Sequence, residues 1–206
     1  MDGIQMLNFL VVAIILTLTP GPDIVFVMLQ SMTHSKKNAI ATALGLCTGL
    51  IAHTMAAVLG ISALIYQSAF AFQLVKWAGA VYLLYLAWQA LKESKTEMGS
   101  ENVQSGSFGE LYRKGIFMNI LNPKVSLFFL ALFPQFIDPN RGSVSIQMAM
   151  LGFIFIVQAF LVFLLVSIFA NKIGRHLLQS VRATRVINQV KAGVFALLGI
   201  RLAFLE

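Results

Sequence analysis

Apolar residues along this chain are grouped in long runs that are separated by short polar segments. A run of about 17 to 25 apolar residues is long enough to cross a bilayer as a helix. No barrel-type alternation of polar and apolar residues is present, so helices are the expected state. The pattern predicts an all-α membrane bundle of six transmembrane helices, at roughly Met6–Met32, Ala39–Tyr66, Ala69–Leu91, Gly115–Ile137, Ile146–Ala170 and Gln189–Leu205.

The first run is too long for one straight crossing and contains the interruption LTPGPD at Leu18–Asp23. Proline removes a backbone donor and clashes with the preceding turn, so the helix should break there. Unpaired backbone at membrane depth is tolerated only beside protein or a watery cavity. We therefore expect half of a transport site at Thr19, Pro20, Gly21, Pro22 and Asp23.

A second interruption of the same kind lies in the fourth run, at Asn122, Pro123 and Lys124. A cap residue followed by proline predicts a helix start, so we expect Thr19 and Asn122 to cap two new helices. Helix N-termini carry free N–H groups and partial positive charge, which suit a carboxylate ligand. Asp23 and Lys124 add one charge of each sign. Such a pair would match a zwitterion, or it would only neutralise itself.

The two interruptions also occupy equivalent positions in an internal repeat. A shift of 103 residues places Pro20 on Pro123 and Gly49 on Gly152. Repeats of three helices must lie inverted relative to one another, and interrupted helices at corresponding positions mark the binding site of such transporters. We expect a single membrane domain over residues 1–206 with a 3+3 inverted repeat, its halves at about 1–91 and 107–206 and a cytoplasmic linker at about 92–110.

Composition and charge agree with an integral membrane protein. The chain is 58% hydrophobic and 11% charged, whereas soluble domains have roughly 25% charged residues. The net charge of +7 comes from cations placed between apolar runs without interleaved aromatic residues, which predicts topology signals and no nucleic-acid partner. Most of these cations fall on one side of a six-helix arrangement. That side is expected in the cytoplasm, which places both termini outside.

Other polar residues inside the apolar runs are weaker candidates for the site. His53 and Gln158 could bind a substrate or, for the histidine, relay protons; a purely structural histidine is the alternative. The G-x-x-x-G run Gly45–Gly49 permits close packing within the chain or the association of two copies, so a homo-oligomer stays open. The single Cys47 excludes an internal disulfide, and no nucleotide or metal motif is present. We expect no cofactor, no metal and no enzymatic reaction.

Three sequence motifs resemble the LysE/RhtB family of bacterial amino-acid exporters. They are LTPGPD at Leu18–Asp23, KWAGAVYLLYL at Lys76–Leu86 and NILNPK at Asn119–Lys124. The resemblance implies an inner-membrane carrier that exports amino acids or their analogues with proton coupling, and it is nearest to the homoserine, threonine and leucine branch. The residues themselves indicate only a carrier. A channel, or an exporter of another small solute or ion, is the alternative.

Overall fold

The protein is a bundle of helices. The computed structural model describes residues 3–19, 21–61, 69–92, 106–179 and 181–204, and all regular structure in these ranges is helical, which confirms the all-α class. The helices are α1 (Gly3–Leu18), α2 (Pro22–Thr33), α3 (Lys36–Ala56), α4 (Ala69–Lys92), α5 (Phe108–Ile120), α6 (Pro123–Leu127), α7 (Val144–Gln179) and α8 (Val181–Phe204). A π-helical turn at Ala57–Ile61 extends α3, and α6 continues through a π-helical turn at Phe128–Leu132 and a 3₁₀ turn at Phe133–Phe136. A separate 3₁₀ turn follows at Pro139–Arg141.

Between two and four of the described segments can cross a membrane. Residues Lys36–Gly60 and Val144–Ala170 are each long and apolar enough alone. Two bent pairs also qualify if each is one span: α1 with α2, bent by 57°, and α5 with the segment that begins at α6, bent by 46°. Both predicted interruptions are therefore present. Within the described ranges α4 and α8 do not meet the same test, so six spans stay a prediction.

Two helices begin well before the apolar runs that predicted them, and α7 extends past its predicted end to Gln179. Helix α5 begins at Phe108, inside the range given to the linker, because Ser107 and Glu110 form a capping box. Ser107 N–H donates to Glu110 Oε2 at 2.7 Å, and Glu110 N–H donates to Ser107 Oγ at 3.3 Å, which fixes the start of a helix. Residues 93–105 of that linker lie outside the described ranges. Helix α8 begins at Val181, earlier than the apolar run.

Helices α3 and α5 pack closely because glycines face each other between them. A Cβ at Gly45 would collide with the carbonyl of Tyr112, and a Cβ at Gly115 would lie 2.5 Å from the carbonyl of Thr42. A Cβ at Gly49 would lie 2.7 Å from Cβ of Asn119. The G-x-x-x-G run is thus used within the chain, and the close approach brings the end of α5 against α3.

Candidate functional site

The first break joins α1 to α2 and differs from the prediction in its cap. Gly21, in an extended conformation (φ −164°, ψ 176°), is the N-cap of α2, and Pro22 is its first residue. The hydroxyl of Thr19 donates to the carbonyl of Ile15 at 2.6 Å, so the prediction that Thr19 caps α2 is wrong. Pro20 lies outside the described residues. Helix α2 therefore begins without a side-chain cap.

The second break joins α5 to α6 and has the cap that the sequence predicted. Asn122 is the N-cap of α6, Pro123 is its first residue, and Asn122 Oδ1 accepts the N–H of Lys124 at 3.0 Å. The hydroxyl of Ser126 also donates to the carbonyl of Asn122 at 3.1 Å. The backbone N–H of Lys124 is already bonded and does not offer itself to a ligand.

The ammonium group of Lys124 reaches across to the first break. Its Nζ donates to the carbonyls of Leu16 and Thr19, at 3.1 Å each. These carbonyls belong to the C-terminal end of α1, where helix ends leave acceptors unpaired and carry partial negative charge. A lysine from the second half of the chain thus stabilises the interruption in the first half.

The carboxylate of Asp23 lies in the first turn of α2 and is only 4% exposed. Its Oδ2 accepts a hydrogen bond from Nδ2 of Asn119 at 2.9 Å. The side-chain amide of Asn122 lies near the same carboxylate, although the contact does not have the geometry of a hydrogen bond. Asp23 therefore contacts both sides of the second break, and its Oδ1 has no hydrogen-bond partner among the described residues.

His53 and Gln158 flank these groups. The His53 ring stacks on Phe129 with centroids 5.5 Å apart, and its Nε2 lies 3.2 Å from the carbonyl of Asn119. Gln158, 6% exposed, donates from Nε2 to Oγ1 of Thr17 at 2.9 Å. His53 is thus hydrogen-bonded to Asn119, the residue that binds Asp23, and Gln158 is fixed by its contact with α1.

Asp23 and Lys124 line the same cavity, as their opposite charges had suggested. The cavity measures about 20 Å³, which is room for about one water molecule. No larger molecule fits in this space unless the lining side chains move. The lining residues are Leu16, Thr17, Asp23, Leu50, Asn119, Lys124, Val125, Phe155, Ala159 and Phe163.

Comparison with known proteins identifies the family to which this chain is related. The profile of the LysE type translocators matches residues 14–205. The chain belongs to this family. The homoserine/homoserine lactone efflux protein of Salmonella typhimurium is 32% identical over 195 residues, which cover 95% of this chain and 94% of that protein. An uncharacterized membrane protein of Vibrio cholerae is 32% identical over 203 residues, 98% of each chain. No solved structure matches the chain significantly.

The family and the helices together make this translocator a multi-pass membrane transport protein.

It has a second, larger pocket of about 190 Å³ near the N-terminal end of α1, lined by Gln5, Asn8, Val12, Leu132, Gln135, Phe136 and Leu198. Phe9 is fully buried and packs against one lining residue of each space. The centroid of its ring lies 5.2 Å from that of Phe136, which lines the larger pocket, and 6.4 Å from that of Phe155, which lines the small cavity.

These rings belong to one aromatic cluster, which consists of Phe9, Phe128, Phe129, Phe133, Phe136 and Phe155. Packed rings at such distances interact favourably in addition to the apolar area they bury. The cluster therefore connects the lining of the small polar cavity, at Phe155, to that of the larger pocket, at Phe136.

Asn119 is the site residue that the sequence predictions did not include. It is 1% exposed, and it binds Asp23 through its side chain and His53 through its main chain. Its partner in α2 is distant in the sequence, so no local pattern connects the two. The available signal was a polar amide in an apolar run, about one turn before a helix break. Polar groups in such places are functional candidates by default.

Proposed function

We propose that this translocator exports amino acids across the bacterial inner membrane in exchange for protons. The observation that supports it best is the pair of opposite charges, Asp23 and Lys124, on one cavity between two helix breaks. An amino-acid zwitterion adds no net charge to such a site. The relative from Salmonella typhimurium, named for efflux of homoserine and its lactone, supports the same class of substrate.

Each of the two charges binds one end of the substrate. Asp23 receives the ammonium group, and the carboxylate lies on the side of Lys124 and the uncapped start of α2 at Gly21 and Pro22. The start of α6 contributes less than the sequence suggested, because Asn122 already binds the N–H of Lys124. Apolar walls from Leu50 and other lining residues leave space for a neutral side chain once the cavity opens.

Proton coupling follows if Asp23 binds either a proton or an ammonium group, but not both. Substrate then leaves outward and a proton enters the emptied site, which resets the carrier toward the cytoplasm. A carrier of this kind needs two conformations that the two ligands bias differently. His53 bonds to the carbonyl of Asn119, and the side chain of Asn119 binds Asp23. A change in the charge on Asp23 therefore reaches His53 through Asn119.

The topology proposed with this function has six spans in two inverted halves. The bends at corresponding positions, 57° in the first half and 46° in the second, support an inverted repeat. With the basic segments in the cytoplasm, both termini and the larger pocket face the periplasm. The aromatic cluster is then the outer barrier, and opening it leads substrate past Gln5, Asn8 and Gln135.

Efflux from intact cells tests this proposal. Cells that express the protein are loaded with each of a panel of labelled amino acids, and the initial rate of release is measured against cells without it. We expect saturable release of at least one neutral amino acid, lost in Asp23→Asn and in Lys124→Ala at equal protein level. Lys37→Met, at an exposed lysine, is the control. Release that persists in both site variants contradicts the proposed site, and linear, non-saturating flux contradicts a carrier.

A further inference from the structure

Three buried oxygen atoms, two on residues that line the small cavity and one on a residue bonded to its lining, have no hydrogen-bond partner among the described residues. They are Oδ1 of Asp23, Oδ1 of Asn119 and Oε1 of Gln158. All three side chains are at least nine-tenths buried, with exposures of 4%, 1% and 6%. Buried polar atoms are almost always bonded in folded proteins, so three such atoms in one region require an explanation.

The three side chains come from different helices and are each fixed by their other polar atom. Asn119 Nδ2 donates to Asp23 Oδ2 at 2.9 Å, so the orientation of both groups is determined by one contact. Gln158 Nε2 donates to Oγ1 of Thr17, which itself donates to a carbonyl of α1. Asp23, Asn119 and Thr17 line the cavity, whereas Gln158 does not and adjoins it through its bond to Thr17. Each remaining oxygen is thereby left as an acceptor.

We infer that these three oxygens form a subsite for a primary ammonium group, which carries three N–H donors in a tripod. The inference rests on the proposed function and deepens it. Asp23 supplies the negative charge, while the side-chain oxygens of Asn119 and Gln158 each accept one further N–H of the ammonium group. A group with three N–H bonds satisfies all three acceptors, whereas a secondary amine of equal charge leaves one buried oxygen unpaired.

The subsite makes the number of N–H bonds, and not charge alone, a determinant of specificity. An N-methyl amino acid keeps its positive charge but has two N–H donors. The same methyl group on the α-carbon leaves three donors and adds equal volume, which makes it the matched steric control. Attraction by Asp23 alone would treat both analogues in nearly the same way.

Competition in the efflux assay measures this difference. The amino acid that the panel selects, with L-leucine and L-homoserine used first, competes with its own N-methyl and α-methyl derivatives. We expect the N-methyl derivative to need roughly tenfold more for half-inhibition, because it lacks one hydrogen bond to a charged donor. The α-methyl derivative should differ much less. Equal inhibition by the N-methyl derivative and the parent amino acid would overturn the inference.

A variant of the third acceptor separates a recognition role from a structural one. Gln158→Leu should raise the half-saturation for the parent amino acid and bring the ratio between the N-methyl derivative and the parent close to one. The control is Gln147→Leu, a buried glutamine bonded to the loop at Asp138 and Gly142. That change should leave the ratio unaltered.

The outcomes separate the two proposals. If no amino acid of the panel is released, the proposed function fails and the subsite fails with it. If amino acids are released but N-methylation has no effect, or if Gln158→Leu leaves the ratio unchanged, only the subsite is wrong.

Discussion

The break between α1 and α2 and the break between α5 and α6 differ in where their backbone groups find partners. At the second break, Asn122 caps the new helix from within the same turn. At the first break, no side chain caps α2, and the carbonyls of Leu16 and Thr19 are bonded by Lys124, more than a hundred residues later in the chain.

The difference shows which break depends on the rest of the site. The helix start at the second break is capped locally by Asn122. The first break is held by the ammonium of Lys124 and by the bond from Asn119 to Asp23, both supplied by the second half. A change of ligand or charge at the cavity therefore acts on the first break first, which makes it the part expected to move.

The largest effect should come from Lys124→Met, which removes the remote support of the first break. It leaves two helix-end carbonyls without their charged donor and Asp23 without its opposite charge. We expect a loss of about 3 kcal/mol or more in the free energy of unfolding, measured by thermal unfolding in detergent. Adding Asp23→Asn to this variant should recover part of that loss without restoring efflux. If Lys124→Met is as stable as wild type, the first break does not depend on this residue.

A smaller effect is expected from Gly49→Ala, which disturbs the other remote contact. The new Cβ would lie 2.7 Å from Cβ of Asn119 and should push its amide away from Asp23. Overpacking of this kind costs about 1–3 kcal/mol, and efflux should fall with it. Gly193→Ala is the control, since a Cβ there meets nothing within 4 Å. Equal efflux in the two variants would count against the Asn119–Asp23 contact.

The second break should be disturbed only locally by Asn122→Ala. Loss of a side-chain N-cap costs about 1 kcal/mol, and Asn122→Ser should keep most of the stability because serine is also a good cap. Both are compared by thermal unfolding. A loss as large as that of Lys124→Met would mean that the second break is not self-sufficient.

The smallest effect should come from Thr19→Val. Among the described residues, the hydroxyl of Thr19 bonds only to the preceding turn at Ile15, and its loss should cost about 1 kcal/mol or less. The carbonyl that accepts from Lys124 is unchanged, so efflux should stay close to the wild-type rate. Abolished efflux would indicate that this hydroxyl has a direct part in transport.

The sequence predicted the second break better than the first for a local reason. At Asn122 and Pro123, the cap, the proline and the bonded N–H all lie within three residues, so the local sequence specifies this helix start completely. At Thr19 the hydroxyl donates instead to a competing acceptor four residues earlier, the carbonyl of Ile15. Threonine inside or just after a helix often bonds to the preceding turn in this way.

The remaining features of the site depend on contacts that no local pattern encodes. The charges of Asp23 and Lys124 were recognisable because charged residues are rare in apolar runs. The role of Asn119 depends on a partner 96 residues away in the sequence, and the fixed orientation of Gln158 depends on Thr17 at a separation of 141 residues. The tertiary arrangement of the helices was needed to place these residues together.

The central claim is that both breaks form one amino-acid site at Asp23 and Lys124. Substrate binding to the purified protein tests it without reference to transport or its driving force. A ligand that binds only the folded state raises the free energy of unfolding by about 2.7 kcal/mol at a hundredfold excess over Kd. We predict that the exported amino acid raises the unfolding temperature of the wild-type protein in a concentration-dependent way, and that Asp23→Asn abolishes this shift. An undiminished shift in Asp23→Asn would contradict the account.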